Sequence, residues 1–314
     1  MAIADTKTFL TYSAKGNRED LTDVIYNVDP TDCPFITGIP MVTADAVLHE
    51  WLTDTLASAS STNFILEGDD ASTDTTSATT RLSNTCCISD KVPRVSGTQQ
   101  AVVKAGRKDE LAYQIVKRSK ELRRDMESIL LANNAEATGG AATAREAGGI
   151  EAWINTNTDL GTSGTAGSLG NTARSDGTNR ALDETTFKSV LQSCWSNGGD
   201  PDTVMVGAYN KTVISTFTGN ATRFKGAEDR TLVAAIDIYD SDWGELEIIA
   251  NRFQVSESCL ILQMDMWACA YLRPVQMYDL AKTGDSERRQ ILAEYTLESR
   301  NEKASGAVFD CTTS

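Results

Sequence analysis

KAGRKDELAYQIVKRSKELRRDMESILLAN, residues 104–133, is the stretch whose reading decides the fold. Leu111, Ile115, Leu122, Met126 and Ile129 recur at spacings of 4, 7, 4 and 3, which places them on one stripe of an α-helix. Lys117 with Glu121, and Arg123 with Glu127, set opposite charges four residues apart on the polar side. The pattern predicts a helix over about 104–133, about 45 Å long at 1.5 Å per residue. That nearly equals the diameter of a compact globule of this size, so a flat or elongated molecule is expected. Between residues 104 and 127 stand eight basic and five acidic side chains. This local excess of positive charge reads as a solvated face paired with acidic neighbours, ahead of a face that contacts DNA.

Upstream of the helix the composition changes. Leu56 to Arg81 reads LASASSTNFILEGDDASTDTTSATTR, flanked by the strand-like VLHEWLTDTL and RLSNTCCISDKVPRVSG. The simplest geometry is a long two-stranded excursion with a polar tip and an apolar patch at Phe64-Ile65-Leu66. Loops of this length are uncommon in compact domains unless they are functional or disordered. An isolated hairpin is barely stable in water. A floppy arm, or support from a neighbouring subunit, is therefore expected. Further upstream, Asn17 to Ile25 can open a short helix, while Pro30, Pro34 and Pro40 impose an extended path that buries little on its own chain.

Downstream, residues 134–180 are low in complexity: ATGGAATAREAGG, then GTSGTAGSLGNTARSDGTN. Gly161, Gly164, Gly167 and Gly170 do not make a phosphate-binding loop, because the required Lys is missing. The stretch reads as a loop. From 181 to 314 helix and strand patterns alternate. Asp183 can cap a helix carrying Phe187, Val190, Leu191, Cys194 and Trp195, ending at Gly198-Gly199. Thr203–Val206 reads as a strand and Tyr209–Phe217 as a helix. Ile236–Tyr239 and Leu246–Ile249 flank turn chemistry at Asp240 to Gly244. Strands are expected at Cys259–Asp265, Ala268–Leu272 and Arg289–Arg300, the last with alternating Ile291, Ala293, Tyr295 and Leu297. The fold class is α+β, without a repeat period.

Composition narrows the function. The 314 residues carry a net charge of −15, with 40% apolar and 23% charged side chains, the balance of a folded globular chain. The charge has the wrong sign for a nucleic-acid binder, whose affinity comes from cations. No apolar run nears the ~20 residues of a membrane helix, and the first residues carry no visible export signal. The seven cysteines include no C-x-x-C and read as reduced thiols, Cys33 and Cys311 near the ends being the ones to watch. His49 is the sole histidine, and HEWLT lacks the second ligand of a zinc-protease helix. It reads as a strand residue at a packed boundary. Asp237, Asp240 and Asp242 fail the calcium-loop register and read as turn formers, and Glu67-Gly68-Asp69-Asp70 is the other acidic cluster. No catalytic, metal or cofactor site is legible, so an enzyme is not expected.

Long passages resemble a known family: NREDLTDVIYNVDPTDCPF, HEWLTDTLA, SGTQQAVVKAGRKDELAYQIVKRSKELRRDMESILL, AREAGGIEAW, DIYDSDWGELEIIANRF, AYLRP and LAKTGDSERRQILAEYTLESRNEKASG. They are similar to the SU10-type major capsid (major head) proteins of tailed bacteriophages, which have the HK97-like fold. The likeness runs from about residue 15 to 310, and residues 155–180 carry none of it. It implies an N-terminal arm at 1–45 and an E-loop hairpin at 46–95. A peripheral (P) domain with the spine helix and the Gly/Thr-rich loop would cover 96–180, an axial (A) domain 181–270, and strands returning to the P domain together with the C-terminus 271–314. The implied function is self-assembly as pentamers and hexamers into the icosahedral head of a double-stranded DNA phage, with a tail-tube or other virion protein as the alternative.

The partners so implied are other copies of the chain within and between capsomers, a portal protein, a separate scaffolding protein, a decoration or cement protein, and enclosed DNA bound without sequence specificity. No membrane is involved. The expected location is the virion, after assembly in the bacterial cytoplasm. By fold position alone, Phe64, Ile65, Leu66, Arg81, Lys225, Glu228 and Arg230 are expected at contacts between subunits. Interchain disulfides through Cys33 or Cys311 are a further expectation. No Lys lies between Glu50 and Lys91, so no isopeptide crosslink from the loop tip is expected.

Overall fold

A computed structural model describes residues 29–68, 70, 76–104, 106–217 and 237–314. The helix expected at Asn17–Ile25 lies outside the described residues. The long helix, α3, runs Glu110–Leu131 over 22 residues, about 33 Å, so its length argues less strongly for an elongated molecule than the sequence pattern does. It starts later than the spacing predicts for two reasons. Gly106 takes a left-handed φ of 73°, and the Asp109 carboxylate accepts from the Ala112 N–H at 3.1 Å, capping the first turn. Leu111, Leu122, Met126, Leu130 and Leu131 are buried along its inner stripe.

The polar side of α3 pairs differently from the pattern. Glu121 meets Arg118, not Lys117, at 2.5 Å. Glu127 is not on a solvated face with Arg123 but wholly buried. Its two oxygens accept the backbone N–H groups of Phe35 and Ile36, each at 2.8 Å, and the Asn251 side-chain amide at 2.7 Å. The cause is α1, a short helix at Pro34–Gly38. Its first N–H groups have no partner inside the helix, and Glu127 supplies one.

This corrects the extended path expected for the proline-rich segment. Proline is well tolerated at a first helical position, and Phe35, Ile36 and Ile39 are at most 4% exposed in the core of their own chain.

Two sheets flank the helix. The first is ordered β1 (Met41–Thr43), β11 (Trp267–Asp279), β12 (Ser286–Ser299) and β4 (Cys87–Lys91), with β5 (Arg94–Ser96) pairing the start of β12. β1 runs parallel to β11, and β12 is antiparallel to β11, β4 and β5. Ile291, Ala293, Tyr295 and Leu297, the alternating residues of β12, face Leu122, Met126 and Leu130 in one core. The short helix α2 (Gly97–Ala101) precedes α3.

The second sheet is ordered β6 (Thr158–Asp159), β13 (Gly306–Val308), β10 (Cys259–Leu262), β7 (Thr203–Val206), β9 (Gly244–Ala250) and β8 (Ile238–Ser241). Helices α5 (Glu184–Ser196) and α6 (Ala208–Ile214) cover one face, where Phe187, Val190, Leu191 and Cys194 meet Val204, Val206, Ile248 and Ile261. The alternate residues Met205, Leu260 and Leu262 point the other way and join the α3 core, along with Trp153 of the buried helix α4 (Ile150–Trp153). The sheet is thus apolar on both faces. β13, close to the C-terminus, pairs with β10 and β6. Its Gly306 lets α5 lie close: a Cβ there would sit 2.6 Å from Val190 Cγ1 and 2.8 Å from Cys194 Sγ.

Candidate assembly surface

Leu48–Thr53 (β2) and Thr80–Thr85 (β3) pair antiparallel as a separate ribbon, with His49 opposite Asn84 and Thr53 opposite Thr80. Alternation along β2 turns His49, Trp51 and Thr53 inward and leaves Leu48, Glu50 and Leu52 exposed. The inward side chains fix the root of the ribbon to β12. Trp51 Nε1 donates to the Ser299 carbonyl at 2.8 Å and its ring lies 5.4 Å from that of Trp153. His49 Nε2 is 2.9 Å from Glu298 Oε2. This bond, with support from Arg300, holds the Glu298 carboxyl below its ordinary value.

On β3, the wholly buried Asn84 donates to the carbonyls of Leu297 and Gly148 and accepts from the Gly148 N–H. Every polar atom of that amide is used, which a buried amide requires. His49 is therefore a clamp at a packed boundary.

Past Thr53 the picture reverses. Every described residue from 54 to 79 is exposed. Leu56 is 100% exposed, Phe64 88%, Ile65 76% and Leu66 78%. Four large apolar side chains in water on one excursion form a patch of the kind that marks an interaction site. The apolar patch anticipated at Phe64-Ile65-Leu66 is thus held out from a fixed root. Arg81 sits at the exposed end of β3, 3.5 Å from Glu50 across the ribbon, a solvated pair of little energetic weight. Lys225, Glu228 and Arg230 lie outside the described residues.

Cys33 and Cys311 are both buried. Burial raises the Cys33 thiol and pushes Cys311 up to about 12, so neither favours the thiolate needed for exchange. A bridge through either requires local opening first.

The Gly/Thr-rich stretch holds what sequence reading missed. Arg174 is buried, its Nε 2.8 Å from Glu151 and its Nη1 3.1 Å from Asp310, both carboxylates also buried. Its guanidinium lies 4.5 Å over the Phe309 ring. Ser258 donates to Glu151, and the Gly161 N–H to Asp310 at 2.9 Å. Despite these partners burial keeps the Glu151 carboxyl above its ordinary value. The one sequence signal is Arg174 itself, the sole cation between Arg145 and Arg180. Among the described residues no three His, Cys, Asp or Glu side chains are disposed to hold a metal, and no helix is long and apolar enough to cross a membrane.

The chain as a whole is similar to known proteins. The sequence profile of the SU10 major capsid protein family matches residues 5–312. The major capsid protein of Escherichia phage Phieco32 is 26% identical over 347 aligned positions, covering 98% of each chain. The fold matches a cyanophage A-1(L) capsid subunit with a TM-score of 0.69 at 12% identity, covering 97% of this chain and 99% of that one. A structure of phage G major capsid proteins with decoration proteins gives a TM-score of 0.52 at 11% identity, over the full length of both chains. With its profile matched from end to end on an HK97-like architecture, this chain belongs to the SU10 major capsid protein family.

Proposed function

We propose that the chain is the shell subunit of a tailed double-stranded DNA bacteriophage head. Copies join as pentamers and hexamers that close into an icosahedral capsid around the packaged genome. The observation that carries this reading is the contrast at residues 48–85, where a firmly clamped root projects an apolar tip that its own subunit leaves in water. Fully burying a side chain such as Phe64, Ile65 or Leu66 is worth about 1.5–3 kcal/mol. One such contact, less the cost of ordering the loop, is weak. Each subunit in a ring both gives and receives one, and closure of the shell makes the sum strong.

In this reading residues 1–45 are the arm, 46–95 the E-loop and 96–180 the peripheral domain. Residues 181–270, joined by β13, are the axial domain, and the remainder of 271–314 returns to the peripheral sheet. The work is structural, without catalysis. A net charge of −15 suits a wall that confines DNA without gripping it. A separate scaffolding protein, a portal and a decoration protein complete the assembly, which takes place in the bacterial cytoplasm and ends in the virion. With no Lys between Glu50 and Lys91, the loop tip leaves cohesion to non-covalent contacts.

The test is negative-stain electron microscopy of particles from cells expressing the chain alone and beside its scaffold. Closed shells tens of nanometres across are expected. Open tubes, or a 34 kDa monomer in both conditions, would contradict the reading.

A further inference from the structure

The pairing of β5 with β12 sets two arginines against each other. Arg94 stands directly opposite Arg288, and opposed residues of an antiparallel pair send their side chains to one face of the sheet, about 5 Å apart. Like charges so placed are destabilising, and the subunit does not relieve them. Among the described residues neither guanidinium has a carboxylate partner. The nearby carboxylates are committed elsewhere: Asp279 to Arg289, Glu287 to Lys282 at 3.9 Å, and Asp90 to the Gln290 amide at 2.7 Å. Arg94 is exposed, and its Nε donates to the Ser286 Oγ at 3.0 Å. Arg288 is half-buried, and its Nη2 donates to the Ala281 carbonyl at 3.0 Å. Its Nε is buried without a hydrogen-bond partner, a costly state for a donor on a cation.

One ligand chemistry answers all of this. An oxyanion laid across both guanidiniums neutralises the like charges, and its paired oxygens match the planar N–H fork of arginine. It also supplies acceptors for donors that the subunit leaves idle. The buried Ser286 hydroxyl, which accepts from Arg94, keeps its own proton for a further oxygen. We infer that Arg94, Arg288 and Ser286 form an oxyanion site that takes one carboxylate or phosphate group. Two sources share that chemistry, free phosphate and an Asp or Glu side chain of a second copy. A net charge of −15 makes carboxylates abundant on any neighbouring copy, and only this second source rests on the shell-subunit reading above. A long polyanion such as DNA fits less well, since two cations make a thin footprint on so acidic a chain.

The test is calorimetric titration of inorganic phosphate into the unassembled full-length chain in a chloride buffer. Saturable binding of one phosphate per chain is expected, with a Kd of about 1 mM. Arg94→Gln and Arg288→Gln each weaken it by about tenfold or more. Arg289→Gln, whose parent side chain already holds Asp279, changes it by less than about twofold. Arg94→Lys keeps the charge without the fork and gives an intermediate loss. Circular dichroism checks that each variant is folded. Without phosphate, Arg94→Gln melts no lower than the parent, because it removes the opposed charge. Shell yield on sucrose gradients then separates the sources. Loss of shells in Arg94→Gln, with inhibition of parent assembly by excess phosphate, assigns the site to a carboxylate of a second copy. Unchanged shells assign it to free phosphate. Absence of phosphate binding, or binding that survives both Gln variants, overturns the proposal. Failure of the parent chain to form any shell would count against the shell-subunit reading alone, since the titration needs no assembly.

Discussion

Residues 54–79 and 134–180 are built from nearly the same alphabet of Gly, Ala, Ser, Thr and Asp, yet they end in opposite states. Every described residue of the first is exposed, including its largest apolar side chains. The second folds into the subunit around a buried Arg174 and threads glycines against the backbone. A Cβ at Gly167 would sit 2.5 Å from the Ala152 carbonyl oxygen, and one at Gly161 2.2 Å from that of Thr178. The difference teaches that composition alone does not separate a packed irregular segment from a free one. What separates them is whether the chain holds a matching surface. The second stretch has one, in Glu151, Asp310 and Trp153. The described anchors of the first lie at its root, and in the shell-subunit reading proposed above its apolar side chains are covered by another copy.

The sharpest way to break this comparison is Arg174→Met. It strands Glu151 and Asp310 without their cation in the core, a change that costs about 3–5 kcal/mol. Urea unfolding of the unassembled chain is expected to show that loss, and a change below about 1 kcal/mol would mean the network does not hold the stretch.

A matched pair of glycines sharpens it further. Gly170 and Gly68 share a left-handed backbone, with φ of 81° and 85°. At Gly170 a Cβ would meet the Trp153 ring at 2.7 Å, whereas at Gly68 nothing lies within 4 Å. Gly170→Ala adds overpacking of about 1–3 kcal/mol to the conformational strain. Gly68→Ala carries only the ~1–2 kcal/mol of strain, with open space around the new Cβ in which the backbone can relax. Calorimetry on the two variants should therefore show a several-degree drop in Tm for the first and almost none for the second.

Glu127 offers a test by pH. Burial raises its carboxyl above the ordinary 4.5 in the folded chain, against the pull of the Ile36 and Phe35 N–H groups, Asn251 and Arg123. The folded form therefore holds the proton more tightly than the unfolded form does. Its contribution to stability is full below pH 4.5 and is lost as pH rises through the elevated value. The stability of the parent chain relative to Glu127→Gln should fall as pH climbs from 4.5 upward, and a flat difference would refute the assignment.

The smallest effect on the fold is expected at the tip. Phe64→Ser/Ile65→Ser/Leu66→Ser should change subunit stability by no more than about 0.5 kcal/mol while abolishing shells. Equal loss of both would place these side chains in the subunit's own core.

Much of this was legible before any coordinates. The α3 stripe, the α5 residues Phe187 to Cys194, the strand Thr203–Val206 and the alternation along β12 obey local periodicities, and each appears where its period places it. The exposed tip and the clamped His49 were readable for the same reason. What failed was whatever depends on a partner distant in sequence. Pro34 looked like a bar to helix until Glu127, more than ninety residues on, supplied acceptors for the N–H groups behind it. Glu127 itself looked solvated because its period placed it beside Arg123. Arg174 gave no hint that Asp310, 136 residues away, would neutralise it. Gly306 belongs to the second sheet because α5 can approach it, a fact of packing that no local pattern carries.

One measurement bears most directly on the central claim that residues 54–79 are held by a neighbour and 134–180 by their own subunit. It is a cryo-electron microscopy map of assembled particles at side-chain resolution. The expected map places Phe64, Ile65 and Leu66 against an adjacent copy and keeps the Arg174 network intact within each subunit. A map in which the tip folds back onto its own chain, or projects freely into solvent, would contradict the claim.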